Sequence, residues 1–217
     1  MIYLIGGSPR AGKSTLSRMI SKELGCSFIA LDIISKGLIE TFKVFTPEFN
    51  YLQLFRDRGL YLESGRNRNL YLNYKPEVML EAHKTEATGS WPLLRVWIER
   101  QIKFYPNLDL VFEGYQLLPE LVSELVETYP DQIKYTFLIQ TDQQAIRENI
   151  SNDFSPGNWA NQPEYTEQIK DNIVHFLSLI GMYLENQSDK YGLSLINTEM
   201  EFIKKLEQTK KAILNLE

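Results

Sequence analysis

Short unbroken apolar runs alternate along this chain with stretches in which apolar residues recur every three or four positions. The runs fall at 2–5 (Ile-Tyr-Leu-Ile), 27–31, 108–113, 134–140 and 193–196, each of a length that suits a strand buried on both faces. Helical spacing fills the intervals at 15–20, 33–41, 77–86, 92–104, 119–128, from 142 onward, at 164–185 and at 200–216. A break is expected near Gly89-Ser90. Strands alternating with helices predict a parallel sheet covered on both sides, a three-layer α/β/α arrangement over 1–217. Two stretches follow neither period. Residues 45–75 are rich in Tyr, Phe, Arg and Asn, and residues 151–163 form a polar run with Pro156, Gly157, Asn158 and Pro163. No repeat, low-complexity tract or Pro/Ser linker divides the chain. Both stretches therefore read as insertions over a site rather than as links between domains.

Composition narrows the classes of function. At 217 residues and 43% hydrophobic content the chain can bury one sizeable core. Its net charge of −5 and pI near 5.3 disfavour a nucleic-acid binder, which needs a basic face for phosphate backbones. The single cysteine, Cys26, excludes an internal disulfide framework and reads as a small apolar residue at a strand start. His83 and His175 stand far apart without cysteine partners, which argues against a zinc site. No signal peptide and no membrane-length apolar run is visible, so a cytoplasmic protein without membrane or nucleic-acid partners is expected, as monomer or homodimer.

The chemistry is concentrated at residues 7–14, Gly-Ser-Pro-Arg-Ala-Gly-Lys-Ser, which match G-x-x-x-x-G-K-[ST] between a strand and a helix. With glycine near 7% of residues, four fixed positions match by accident in under ~1% of chains this long. The backbone amides of such a loop, with a helix N-terminus behind them, form a concave anion site. The loop residues Gly7, Ser8, Pro9, Arg10, Ala11, Gly12, Lys13, Ser14 and Thr15 are thus expected to hold nucleotide phosphates. Lys13 would reach the β- and γ-phosphates, and the Ser14 hydroxyl would ligate Mg²⁺.

Ligands of parallel α/β sheets gather beyond the carboxyl ends of the strands, and two acidic residues are placed there. Glu113 closes the third strand and is followed by Gly114; it reads as a magnesium partner, or else as a carboxylate capping the next helix. Asp32 closes the second strand. It is either an N-cap for a helix beginning at Ile33 or a general base for a substrate hydroxyl. A GTPase would need Asp at position 111, which is Val, and an N-K-x-D motif that is not found near 139–142.

Residues 5–15, Leu31-Asp32 and the segment Phe-Glu-Gly-Tyr-Gln-Leu-Leu-Pro at 112–119 together resemble the P-loop small-molecule kinases of the nucleoside/nucleotide-kinase-like superfamily. The third segment is similar to the E-G-x-x-L-x-P stretch of 2-phosphoglycerate kinases. The zeta-toxin and chloramphenicol phosphotransferase kinases are looser relatives. The resemblance implies five parallel strands in the order 2-3-1-4-5, ATP on the loop with Mg²⁺, and a lid after the fourth strand. It implies transfer of a phosphoryl group to a hydroxyl of a small acceptor, with Asp32 as the residue that deprotonates or positions it. It covers residues 1–40 and 108–150; 45–104 would then be an acceptor-side insertion and 142–165 the lid region.

Lids of that superfamily commonly carry two or more arginines, whereas residues 142–170 offer only Arg147 and then Lys170. Arg147 is the expected lid residue, with Arg10 or basic residues of the insertion to complete it. On the acceptor side Arg56, Arg58, Arg66, Arg68 and Lys75 lie among Phe55, Tyr61, Tyr71 and Tyr74. That mixture suits an anionic or ring-bearing acceptor, a solvated face, or a protein contact. Tyr115, just past Glu113, would point toward the acceptor. The alternative to a kinase is a nucleotide sensor, or a P-loop ATPase working in a protein assembly.

Overall fold

β1 (Ile2–Gly7) is buried along its whole length and forms the centre of a five-stranded parallel sheet. The computed structural model describes residues 1–34, 71–153 and 158–216. After β1 come α1 (Lys13–Leu24), β2 (Ser27–Ala30), α2 (Pro76–Phe104), β3 (Leu110–Glu113) and α3 (Pro119–Thr128). β4 (Ile133–Ile139), α4 (Gln143–Ser151), α5 (Glu167–Tyr191), β5 (Leu195–Asn197) and α6 (Phe202–Leu214) follow. The sheet order is β2-β3-β1-β4-β5, the order expected from the resemblance. Register sets Ile5 beside Glu113 and Gly7 beside Leu138, so the end of β1 and the end of β3 meet at one edge.

The period-two geometry of β1 divides its side chains between two cores. Tyr3 and Ile5 join Val111 and Leu138 under Leu16 and Ile20 of α1 and Leu206 of α6. Ile2 and Leu4 join Phe112 and Phe137 under Leu94 and Ile98 of α2 and Val122 and Leu125 of α3. A third cluster packs α5 against α4 and the start of α2, and includes Tyr71. Each fully buried Leu, Ile or Phe in these layers contributes about 1.5–3 kcal/mol, which is why sheet position is so strongly specified.

α2 departs from the expected break at Gly89-Ser90 and runs unbroken through Pro92. Proline there removes the bond that the Thr88 carbonyl would accept, a local penalty. Burial of Met79, His83, Ala87, Trp91, Leu94, Ile98 and Ile102 down one face outweighs it, and the spacing of those residues continues across the breaker. α5 begins later than the apolar pattern suggests because Thr166 caps it, accepting from Ile169 N–H, and it ends at Gly192 in the left-handed region. Among the described residues no helix is long and apolar enough to cross a membrane.

Candidate functional site

The loop between β1 and α1 is shaped by two glycines with positive φ. Gly7 (φ 132°) has no room for a side chain, since a Cβ would lie 2.1 Å from the Leu138 carbonyl oxygen. Gly12 (φ 100°) leads into α1, and a Cβ there would stand 2.8 Å from the Phe202 ring. Ser8 N–H donates to Leu138 O at 2.9 Å and Ala11 N–H to Ser8 O at 3.3 Å, curling the loop back on itself. Thr198, after β5, donates its hydroxyl to Ala11 O at 3.0 Å and braces the far side. α1 begins at Lys13 with no side-chain cap and no acidic residue in its first turn. Its first amides and the positive end of its dipole are therefore left for an external anion.

Four ionisable or hydroxyl groups meet below this loop. Lys13 is buried, and its Nζ donates to the Ser8 carbonyl at 2.8 Å. Burial lowers its pKa to about 8, against the opposing pull of the Glu113 and Asp32 carboxylates. Ser14 donates its hydroxyl to Glu113 Oε1 at 3.0 Å, and burial raises the Glu113 carboxyl while the Lys13 charge and the Ser14 bond hold it down. Asp32 does not close β2. Residues 31–34 are already helical, and Asp32 stands in that turn with Oδ1 accepting from Ile33 N–H at 2.9 Å.

These residues fit a nucleotide triphosphate with Mg²⁺. A buried ammonium that, among the described residues, donates to a loop carbonyl alone has spare donors for phosphate oxygens. The Ser14–Glu113 pair offers the hard oxygens that Mg²⁺ takes while keeping much of its water. Among the described residues no group of three or more His, Cys, Asp or Glu side chains could cage a metal, so phosphate and water would have to complete such a shell.

A nucleotide held by Lys13 would bind with an affinity that depends on pH. A bound anion favours the charged ammonium, so the complex holds a proton that the free protein begins to lose at about pH 8. Affinity for Mg-ATP is expected to fall as pH rises through that value, with proton uptake on binding above it. Calorimetry in two buffers of different ionisation enthalpy measures the uptake. Constant affinity and no uptake from roughly pH 7 to 9 would place Lys13 away from the phosphates.

Beside Lys13 lies a buried polar group that the sequence reading largely missed. The His83 ring packs on Tyr115, centroids 4.6 Å apart, and the Tyr115 hydroxyl donates to the buried Glu86 carboxylate. Burial and the neighbouring Lys13 charge push His83 down to about 3, so it is neutral at ordinary pH. Gln116 is fully buried, and neither atom of its amide has a partner among the described residues. The available signal was an acid on the inward face of α2 at i+3 from His83 and i+7 from Met79.

Other expected residues lie elsewhere. Arg147 is taken up by Glu167 at 3.5 Å and by Asp171, both on α5, and is not gathered with Lys13 and Glu113. Arg10 stays in the phosphate loop, with its guanidinium held by Asp153 and Asn158 beyond α4. Arg95 of α2 pairs with Glu99 of the same helix and with Glu124 of α3. Tyr71 is a core residue, stacked on Trp159 at 5.9 Å. Arg56, Arg58, Arg66 and Arg68, with Phe55 and Tyr61, lie outside the described residues.

No family model and no curated protein matches the chain. Two solved structures align along nearly all of it. A shikimate kinase from Bacteroides thetaiotaomicron is 16% identical over 100% of this chain and 99% of that one, with a TM-score of 0.46. A protein of Chloroflexus aurantiacus provisionally described as a kinase is 13% identical, over 99% of this chain and 96% of that one, with a TM-score of 0.40. At that distance neither bears on activity, which rests on the residues of the site.

Proposed function

We propose that this protein is an ATP-dependent kinase that phosphorylates a hydroxyl group of a small metabolite. The observation that supports this most is the meeting of an uncapped phosphate loop with the buried Lys13 and the Ser14–Glu113 pair at the carboxyl edge of the sheet. Mg²⁺, when bound, would neutralise charge on the phosphate oxygens, with Ser14 and Glu113 as its protein oxygens. Lys13 binds the terminal phosphates and offsets the charge that shifts as the bond to the leaving group breaks. Asp32, in the electrostatic field of Lys13 and Glu113, takes or orients the proton of the acceptor hydroxyl. Tyr115, fixed by Glu86, and the unspent amide of Gln116 offer polar contacts for the acceptor. On sequence grounds Arg56, Arg58, Arg66 and Arg68 would suit an anionic one. Catalysis by such a site is mainly positioning and charge stabilisation. Arg147 would have to exchange its partners on α5, Glu167 and Asp171, to reach the terminal phosphate as a lid residue.

The test is ATP consumption with and without a pooled small-metabolite extract. A kinase depletes ATP only when the extract is present. Loss independent of the extract supports an ATPase, and binding without loss supports a nucleotide sensor.

A further inference from the structure

Arg10 is the only non-glycine residue of the phosphate loop with a positive φ, at 69°. That backbone conformation costs glycine nothing and costs a long side chain something, so its occupation by arginine points to a use for the side chain. The guanidinium is held from outside the loop. Nη1 donates to Asn158 Oδ1 at 2.8 Å, and Nη2 pairs with the Asp153 carboxylate. Asn158 is itself buried and immobilised: its amide donates to the Asp153 carbonyl at 2.8 Å and the Ile150 carbonyl at 3.2 Å. Its Oδ1 also accepts from Ala160 N–H at 3.2 Å. The α4 end thus sets where the guanidinium stands. Of the donors that remain, the Nε N–H is buried and has no partner among the described residues.

A buried guanidinium N–H without an acceptor is costly, and next to a phosphate loop the acceptor it suits is a phosphate oxygen. Loop amides serve the inner phosphates and Lys13 spans the β and γ positions. Arg10 is braced from outside the loop, by Asp153 and Asn158. We propose that Arg10, positioned by Asp153 and Asn158, binds the terminal phosphate of a nucleoside triphosphate and makes the loop distinguish triphosphate from diphosphate. This rests on reading residues 7–15 as a nucleotide-phosphate site.

The test needs no acceptor. Dissociation constants for Mg-ATP and Mg-ADP are measured for the wild type, Arg10→Gly and Arg10→Lys, with a thermal melt of each. Glycine accepts the left-handed backbone, so Arg10→Gly removes the side chain without straining the loop. Arg10→Lys keeps the charge and loses the planar fork, which guards against a folding defect in the first variant. The expected result is an ATP affinity about 10- to 100-fold weaker in Arg10→Gly, the range for a charge-assisted hydrogen bond, with ADP affinity within about twofold of wild type. Arg10→Lys should show a smaller loss, again for ATP alone. Equal losses for both nucleotides, or no loss for either, would overturn the assignment while leaving the phosphate site intact. Failure of the wild type to bind either nucleotide would overturn the phosphate-loop reading and this inference with it.

Discussion

Asp32→Asn is expected to leave a folded, ATP-binding protein whose kcat falls by roughly 10²–10⁴, the range that positioned proton transfer contributes. The change is informative because asparagine keeps an oxygen for Ile33 N–H, the 2.9 Å bond seen at this turn, and removes the proton acceptor. A residue serving only that turn predicts at most about 1 kcal/mol of lost stability and near-normal turnover. A general base predicts the reverse, with stability kept and turnover lost. ATP affinity should hold in either case, since the loop and Lys13 carry the triphosphate. A thermal melt beside steady-state kinetics separates the two. Full activity in a well-folded variant would move the base elsewhere, and Glu113 would be the next residue to test.

Lys13→Ala should abolish measurable phosphoryl transfer, by roughly 10²–10³ or more, and weaken ATP binding while leaving the fold in place. Because the side chain is buried, truncation leaves a small void and frees the Ser8 carbonyl, both unfavourable. Against this, the mutation removes a buried charge. A lysine whose folded pKa lies at about 8 rather than 10.5 costs the folded state about 3 kcal/mol below pH 8, a cost relieved only as pH rises toward 10.5. The opposing effects predict a melting temperature close to wild type. Lys13→Met keeps most of the stem and should melt at or above wild type with the same loss of transfer. Fluorescent ATP-analogue titration of both variants provides the check, and unchanged affinity together with unchanged turnover would remove Lys13 from the mechanism.

Most of the sheet was legible because its signals are local and redundant. Five short apolar runs separated by helical spacing leave few alternatives to a parallel α/β sheet, and the loop motif marks which strand carries the ligand edge. Boundaries were less legible where tertiary packing overrides a local cue. α2 continues through Pro92 because its buried stripe outweighs one missing hydrogen bond, and the helix that holds Asp32 begins at residue 31, two residues earlier than the pattern suggests. The candidate site divides in the same way. Lys13, Ser14 and Glu113 follow from motif and strand ends. Glu86, Asn158 and Thr198 do not, since each reaches the site through partners 29, 148 and 187 positions away. The pairing of Arg147 was hidden for a related reason: nothing in its own segment shows that Glu167 and Asp171, a helix away, will meet its guanidinium.

Kinase activity itself is tested most directly by following the phosphoryl group. The protein is incubated with a metabolite extract and ATP carrying ¹⁸O in its γ-phosphoryl group, and the products are read by mass spectrometry. The expected result is one hydroxylated compound, or a small related set, that gains the labelled phosphoryl group with wild-type protein and not with Lys13→Ala. Label found only in inorganic phosphate, or retained entirely in ATP, would contradict it.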